Sequence, residues 1–200
     1  MALAPGVSGY EGRVEDALSL KAKDLWFCFC KNETPWPDGG DTDETKVPSH
    51  LPADADYEEP YLFVKAEHKS IARVATEEEY DAADPSSRIA IRTGGSDDDP
   101  ENPPVYARYV FIADAEAYDH DARWVYVRTS IDASGAHPPG SFRQIKMYSG
   151  LTPTAGYQAA TWLTPEKVAD RGRFRWGRNY ILTTASSSMK WTAHVVIEKR

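Results

Sequence analysis

Asp119-His120-Asp121 sets an imidazole between two carboxylates, and His137-Pro138-Pro139-Gly140 offers a second histidine in a stiff turn. Such groups could carry out general acid–base hydrolysis if a carboxyl group and a His came within hydrogen-bond reach. Nothing in the spacing brings them together, and both segments are equally explained as polar turns between strands. Ser186-Ser187-Ser188 lacks the G-x-S-x-G context of a nucleophile elbow, and no Gly-rich phosphate cradle is present. The Asp97-Asp98-Asp99 run lacks the ligand spacing of a calcium loop and reads as a solvated turn. Cys28 and Cys30 are the only two cysteines. In a strand they lie on one face about 6.6 Å apart, too far for the roughly 3.8 Å between Cβ atoms of a disulfide. They are expected as buried thiols, with an intersubunit disulfide or a metal site as the alternatives. His50, His68, His120, His137 and His194 are scattered without metal-ligand spacing. No catalytic, cofactor or metal residue is therefore assigned, and the chain is read as a non-enzyme.

Two other segments carry more chemistry. Arg171-Gly-Arg-Phe-Arg-Trp-Gly-Arg178 places four arginines and two aromatics in eight residues. This composition can stack on bases, grip an acidic protein surface, or form a solvated loop beside a strand. The net charge of -8 disfavours nucleic acid. The other segment is Asp24-Leu-Trp-Phe-Cys-Phe-Cys-Lys-Asn-Glu-Thr-Pro-Trp-Pro-Asp38, an aromatic strand running into an acidic loop stiffened by prolines. On the protein-interface alternative, Trp36, Pro37 and Asp38 of that loop, with Arg171, Arg173, Arg175, Trp176 and Arg178, are the residues that would contact other subunits. Guanidinium groups bind carboxylates in bidentate fashion, and a pre-stiffened loop loses less entropy on docking.

The elements that position these residues are mostly strands. A chain of 200 residues, 41% hydrophobic and 12% aromatic, can bury a core without disulfides, and 14 Pro and 13 Gly point to many turns. Residues 1 to about 13 read as an arm, and Val14 to Asp24 as a short helix. Leu25 to Cys30, continuously apolar, predicts a strand buried on both faces. Asn32 to Pro60 is a long acidic, Pro-rich loop. Tyr61–Ala66 and Ile71–Ala75 predict a strand pair about a turn at Glu67–Ser70. Thr76-Glu-Glu-Glu79 is a capping box for a brief helix, and Thr164–Asp170 predicts another short helix with Pro at its first position. Further strands are expected at 88–92, 105–113, 124–129, 142–148, 180–184 and 191–197. The fold class is mainly β (β-rich α+β): antiparallel, sandwich-like sheets with a few short helices and long Pro-rich loops. The expected organisation is an arm and helix over 1–24 and one β-rich domain over 25–200, with a possible sub-boundary in loop 93–104. Trp26, Trp124, Trp162 and Trp191 read as core residues, with an exposed carbohydrate-binding platform as the alternative. The longest apolar run, six residues, is far short of the roughly 20 that span a bilayer, and the first ten residues lack the features of a secretory signal.

Three stretches carry a family likeness. Phe27 to Asp38 followed by Val47-Pro48 and Leu51-Pro-Ala-Asp54 is the first. Tyr106-Ala-Arg-Tyr-Val110 through Gly140-Ser-Phe-Arg-Gln-Ile145 is the second. Leu151-Thr-Pro153, Leu163-Thr-Pro-Glu166, Arg171-Gly-Arg173 and Asn179-Tyr180 then follow in order. Together they span about two-thirds of the chain, and the chain resembles the gene-eight baseplate wedge proteins of T-even and related contractile-tailed bacteriophages. Phe142, Arg143, Gln144 and Ile145 match the sharpest element of the likeness. Their apolar ends are expected to anchor a core strand while Arg143 and Gln144 satisfy buried groups. The resemblance implies a structural wedge component of the virion tail baseplate, assembled in the host cytoplasm, without catalytic activity or cofactor. Its implied partners are other wedge subunits and a second copy of itself, with neither nucleic acid nor membrane insertion.

Overall fold

The computed structural model describes residues 10–31, 37–40, 42, 46–48, 59–94, 100–132, 137–185 and 190–199. Two helices and twelve strands follow one another through them. They are α1 (Tyr10–Ala22), β1 (Leu25–Cys30), β2 (Pro60–Lys65), β3 (His68–Val74), α2 (Glu77–Ala82), β4 (Arg88–Gly94), β5 (Val105–Ile112), β6 (Trp124–Asp132), β7 (Gly140–Ser149), β8 (Thr152–Pro153), β9 (Trp162–Leu163), β10 (Val168–Asp170), β11 (Arg173–Ala185) and β12 (Lys190–Glu198). One five-stranded sheet has the order β11-β7-β1-β2-β9, another β12-β6-β3-β5-β4, and β10 pairs with β8. Every strand pairing resolved residue by residue is antiparallel. The mainly β class expected from turn-rich composition and alternating patterns is the observed one.

The chain divides into two compact units, one of residues 1–22, 69–127 and 195–200, the other of residues 23–68 and 128–194. In the first, α1 buries Val14, Ala17 and Leu20, a spacing that places them on one stripe of the helix. The helix begins at Tyr10, ahead of the expected Val14, and Lys21 in its last turn reaches Asp114 Oδ1 at 2.5 Å. The capping box of α2 is formed as read. Thr76 accepts from the Glu79 amide, while the Glu79 carboxylate accepts from the Thr76 amide. Arg73 grips that carboxylate at 2.8 and 3.0 Å. The guanidinium first, and the Thr76 amide second, hold its pKa down to about 2.

The second unit contains the first of these sheets. All six residues of β1 are buried, as its unbroken apolar run requires of a strand with neighbours on both sides. Trp26, Cys28 and Cys30 pair in register with Tyr148, Lys146 and Gln144 of β7, so these six share one face. The same face carries the apolar cluster of Trp26, Cys28, Cys30, Phe63, Tyr148, Leu151 and Leu163.

Two expectations are corrected. The segments read as a hairpin around Glu67–Ser70 do not pair with each other: β2 joins β1 and β9, whereas β3 joins β5. Only Ala66 and Glu67 lie between them. Their amides donate outward, to Leu25 O at 2.8 Å and Arg128 O at 2.9 Å, and not to each other's strand. The short helix expected at 164–170 is a single 3-10 turn, Pro165–Lys167, that passes straight into β10. Thr164 makes no side-chain cap, its hydroxyl donating to the Glu166 carboxylate, and Val168 and Asp170 pair with Pro153 and Thr152.

Candidate interface on the arginine-bearing strand

Strand β7 is the scaffold on which the candidate residues are mounted. From Phe142 to Ser149 every residue is buried. Phe142 meets Phe29 and Trp191 edge-on, with ring centroids 5.1 and 4.8 Å apart, and Trp191 also meets Phe29 and Tyr180. Arg143 is 1% exposed, and Gln144 and Lys146 are fully enclosed. Gln144 Nε2 donates to Asn179 Oδ1 at 2.9 Å, and Asn179 Nδ2 donates to the Pro48 carbonyl at 2.8 Å. This chain of bonds ties β7, β11 and the loop at Pro48 together. Cys28 and Cys30 are fully buried free thiols whose sulfurs share a hydrogen bond at 3.3 Å. Burial, followed by the hydrogen bond and charge of Cys30, pushes the Cys28 thiol well above its ordinary pKa.

Strand β11 lies at the edge of the sheet beside β7. The Arg-rich segment is strand from Arg173 onward, which corrects the solvated-loop alternative: Arg173 pairs with Ser149, Phe174 with Tyr148, Trp176 with Met147, Gly177 with Lys146 and Arg178 with Ile145. Arg175 is the extra residue of a bulge, so the alternation slips and Trp176 takes the place opposite Met147. A second irregularity sets residues 180–182 against the single Arg143. Arg171, Arg173 and Arg178 are exposed, and Arg175 and Trp176 half-buried. Arg175 Nε donates to Ser149 Oγ at 2.7 Å, and the Arg178 guanidinium lies 5.4 Å from the Tyr180 ring centre. Among the described residues the Arg173 side chain has no hydrogen-bond or ion-pair partner.

At the start of β11, Arg173 and Arg175 line an open cleft of ≈ 580 Å³ together with Lys23, Asp24, Ser149, Gly150, Asp170 and Gly172. Gly150 and Gly172 hold φ of 73° and 76°, the left-handed region that side chains disfavour. A Cβ on Gly172 would come within 2.4 Å of the Ser149 carbonyl oxygen, so this wall is backbone against backbone. Asp170 accepts from the Gly172 amide at 2.8 Å, and Asp24 pairs with Lys65 at 3.1 Å.

The structure brings Arg173 and Arg175 to one cleft and leaves Arg178 further along the strand. Trp36 lies outside the described residues, as do Asp97–Asp99 and Ser186–Ser188. Pro37–Gly39 forms a 3-10 turn in which Asp38 is exposed with φ 55°. Lys23, Asp24, Ser149, Gly150 and Asp170 were not singled out from sequence, although glycines flanking two arginine-bearing and serine-bearing strand ends were a signal of close backbone approach. The histidines are engaged locally: Asp119-His120-Asp121 forms a turn, and His137 Nδ1 accepts from the Asp132 amide at 3.0 Å. Among the described residues no three His, Cys, Asp or Glu side chains are grouped to hold a metal ion, and no helix is long and apolar enough to cross a membrane. Trp26 and Trp191 pack inward, and the Lys167 ammonium lies 5.5 Å from the Trp162 ring centre and 4.9 Å from that of Tyr157.

The family model for the baseplate wedge 3 tail fiber network component matches residues 6–198. No curated protein matches the chain. The chain belongs to the baseplate wedge 3 tail fiber network component family, a structural part of the phage tail baseplate and hence of the virion.

Proposed function

Proceeding from that membership, we propose that this chain is a gene-eight-like wedge subunit that holds neighbouring baseplate subunits through β11 and through Trp36, Pro37 and Asp38. The observation that carries the reading is the exposure of Arg173 and Arg178 on an edge strand whose neighbour β7 is buried, with Arg171 exposed just before it. An edge strand presents unpaired backbone groups to a partner, and Arg is enriched where interfaces are made. The Phe142-Arg-Gln-Ile145 segment serves the fold, because its polar side chains are enclosed. The subunit pairs with a second copy of itself and with other wedge proteins. It works without catalysis or cofactor and engages neither nucleic acid nor a lipid bilayer.

The test is the mass and stoichiometry of the purified chain, alone and mixed with the tail proteins encoded beside it. A defined complex that is lost on Arg173→Ala/Arg175→Ala or on Trp36→Ala is the expected result. Normal incorporation of both variants sinks the assignment of these residues. A monomer that ignores the tail proteins but binds a glycan array replaces the assembly role with carbohydrate binding.

A further inference from the structure

We infer that the cleft at the start of β11 is a receptor for an acidic protein segment, whose carboxylates seat against Arg173 and Arg175. This rests on the reading of β11 as an interface and specifies the chemistry of what docks there.

Three observations carry it. The first is availability: Arg173 has no side-chain partner among the described residues, and Arg175 uses its Nε on Ser149, its terminal amino groups having no partner among those residues. A guanidinium presents its donors as a fork matched to the two oxygens of a carboxylate. The second is the state of the cleft's own carboxylates. Asp24 is engaged by Lys65 and Asp170 by the Gly172 amide, and among the described residues neither forms an ion pair with Arg173. The third is the setting. The chain carries a net charge of -8, so an acidic segment is repelled by the molecule as a whole and attracted at this spot. Electrostatic complementarity of that kind fixes register and excludes wrong docking more than it adds affinity. One wall of the cleft is backbone on backbone, with Gly172 so close to Ser149 and Gly150 that a Cβ has no room there. Nucleic acid fits less well, since phosphate tracking needs a longer basic stripe and the overall charge opposes it.

The probe is a fluorescent hexaglutamate peptide titrated into the full chain, read by anisotropy at low and moderate salt, with hexaglutamine as the neutral control. Hexaglutamate binding that weakens about tenfold or more in Arg173→Ala/Arg175→Ala supports the proposal. So does a change below about twofold in Lys190→Ala, which removes one positive charge from an exposed position elsewhere. Arg173→Lys/Arg175→Lys keeps the charge and removes the fork, so an intermediate loss is expected. Unchanged thermal midpoints in all variants exclude unfolding as the cause. Equal binding by the double alanine variant overturns the proposal, as does tighter binding of a single-stranded oligonucleotide that is lost in the same variant. The co-assembly assay separates this from the broader reading: a variant that binds hexaglutamate normally yet fails to assemble keeps β11 as an interface and discards the acidic occupant.

Discussion

Strands β7 and β11 are hydrogen-bonded neighbours and both carry arginine, yet they treat it oppositely. On β7, Arg143 and Lys146 are enclosed beside Phe142, Ile145 and Met147. On β11, Arg173 and Arg178 stand in solvent, and the bulge at Arg175 breaks the alternation. The difference lies in position within the sheet. β7 is flanked by β1 and β11, so both its edges are paired, and its run of buried residues shows both its faces covered, whereas among the described residues β11 has a neighbouring strand on one side only. A buried charge must be satisfied inside the molecule and so constrains the fold. An exposed one costs little to keep and is available to a partner. The motif that carries the family likeness and the residues proposed to meet other subunits are therefore separate, though they lie one strand apart.

Substitutions can break or sharpen that contrast. The largest effect is expected from Phe142→Ala, which empties the space between Phe29 and Trp191 and costs about 3–5 kcal/mol in urea unfolding. A loss below about 1 kcal/mol would remove β7 as the anchor. Next comes Gly172→Ala, which places a methyl group against the Ser149 carbonyl at positive φ. We expect a loss of about 2 kcal/mol or more together with distortion of the cleft. A neutral result would mean the backbone there yields freely. Asn179→Ala strips Gln144 of its acceptor and leaves the Pro48 carbonyl without its donor, for about 1–3 kcal/mol. The same experiment on β11, Arg173→Ala/Arg175→Ala, is expected to leave stability within about 0.5 kcal/mol while abolishing co-assembly. A large destabilisation would erase the distinction between the two strands. Last, no modification of Cys28 by a disulfide reagent is expected in the folded protein from pH 7 to 9. Burial both hides its thiol and raises its pKa, and reaction should appear only on unfolding. Prompt labelling of the native chain would show that the β1–β7 face opens.

Much of the architecture is legible in residue order. The six-residue apolar run of β1, the capping box at Thr76–Glu79 and the alternation of the later strands each have a local cause, and the structure contains all of them. The partnership of strands is not local. Nothing in Ala66-Glu67 reveals that β2 and β3 leave for different sheets, because the amides of those two residues are claimed by Leu25 and Arg128 from distant parts of the chain. The helix expected at Thr164 failed for a similar reason, since Val168 and Asp170 pair with Pro153 and Thr152 of β8, far from them in sequence. The arginines of the candidate interface were visible as a cluster, but their strand conformation was not, because strand pairing with β7 depends on register and on two irregularities.

By itself, the sequence determined the β-rich class, the buried character of Leu25–Cys30, the presence of the arginine segment and the family likeness, since composition, periodicity and motif order are properties of the linear chain. Only the tertiary structure decided which arginine is enclosed and which is free, and that Lys23, Asp24, Ser149 and Asp170 join Arg173 and Arg175 around one cleft. Burial and proximity come from pairing between segments far apart in sequence, and the free energy of that pairing resides in the packed sheet as a whole.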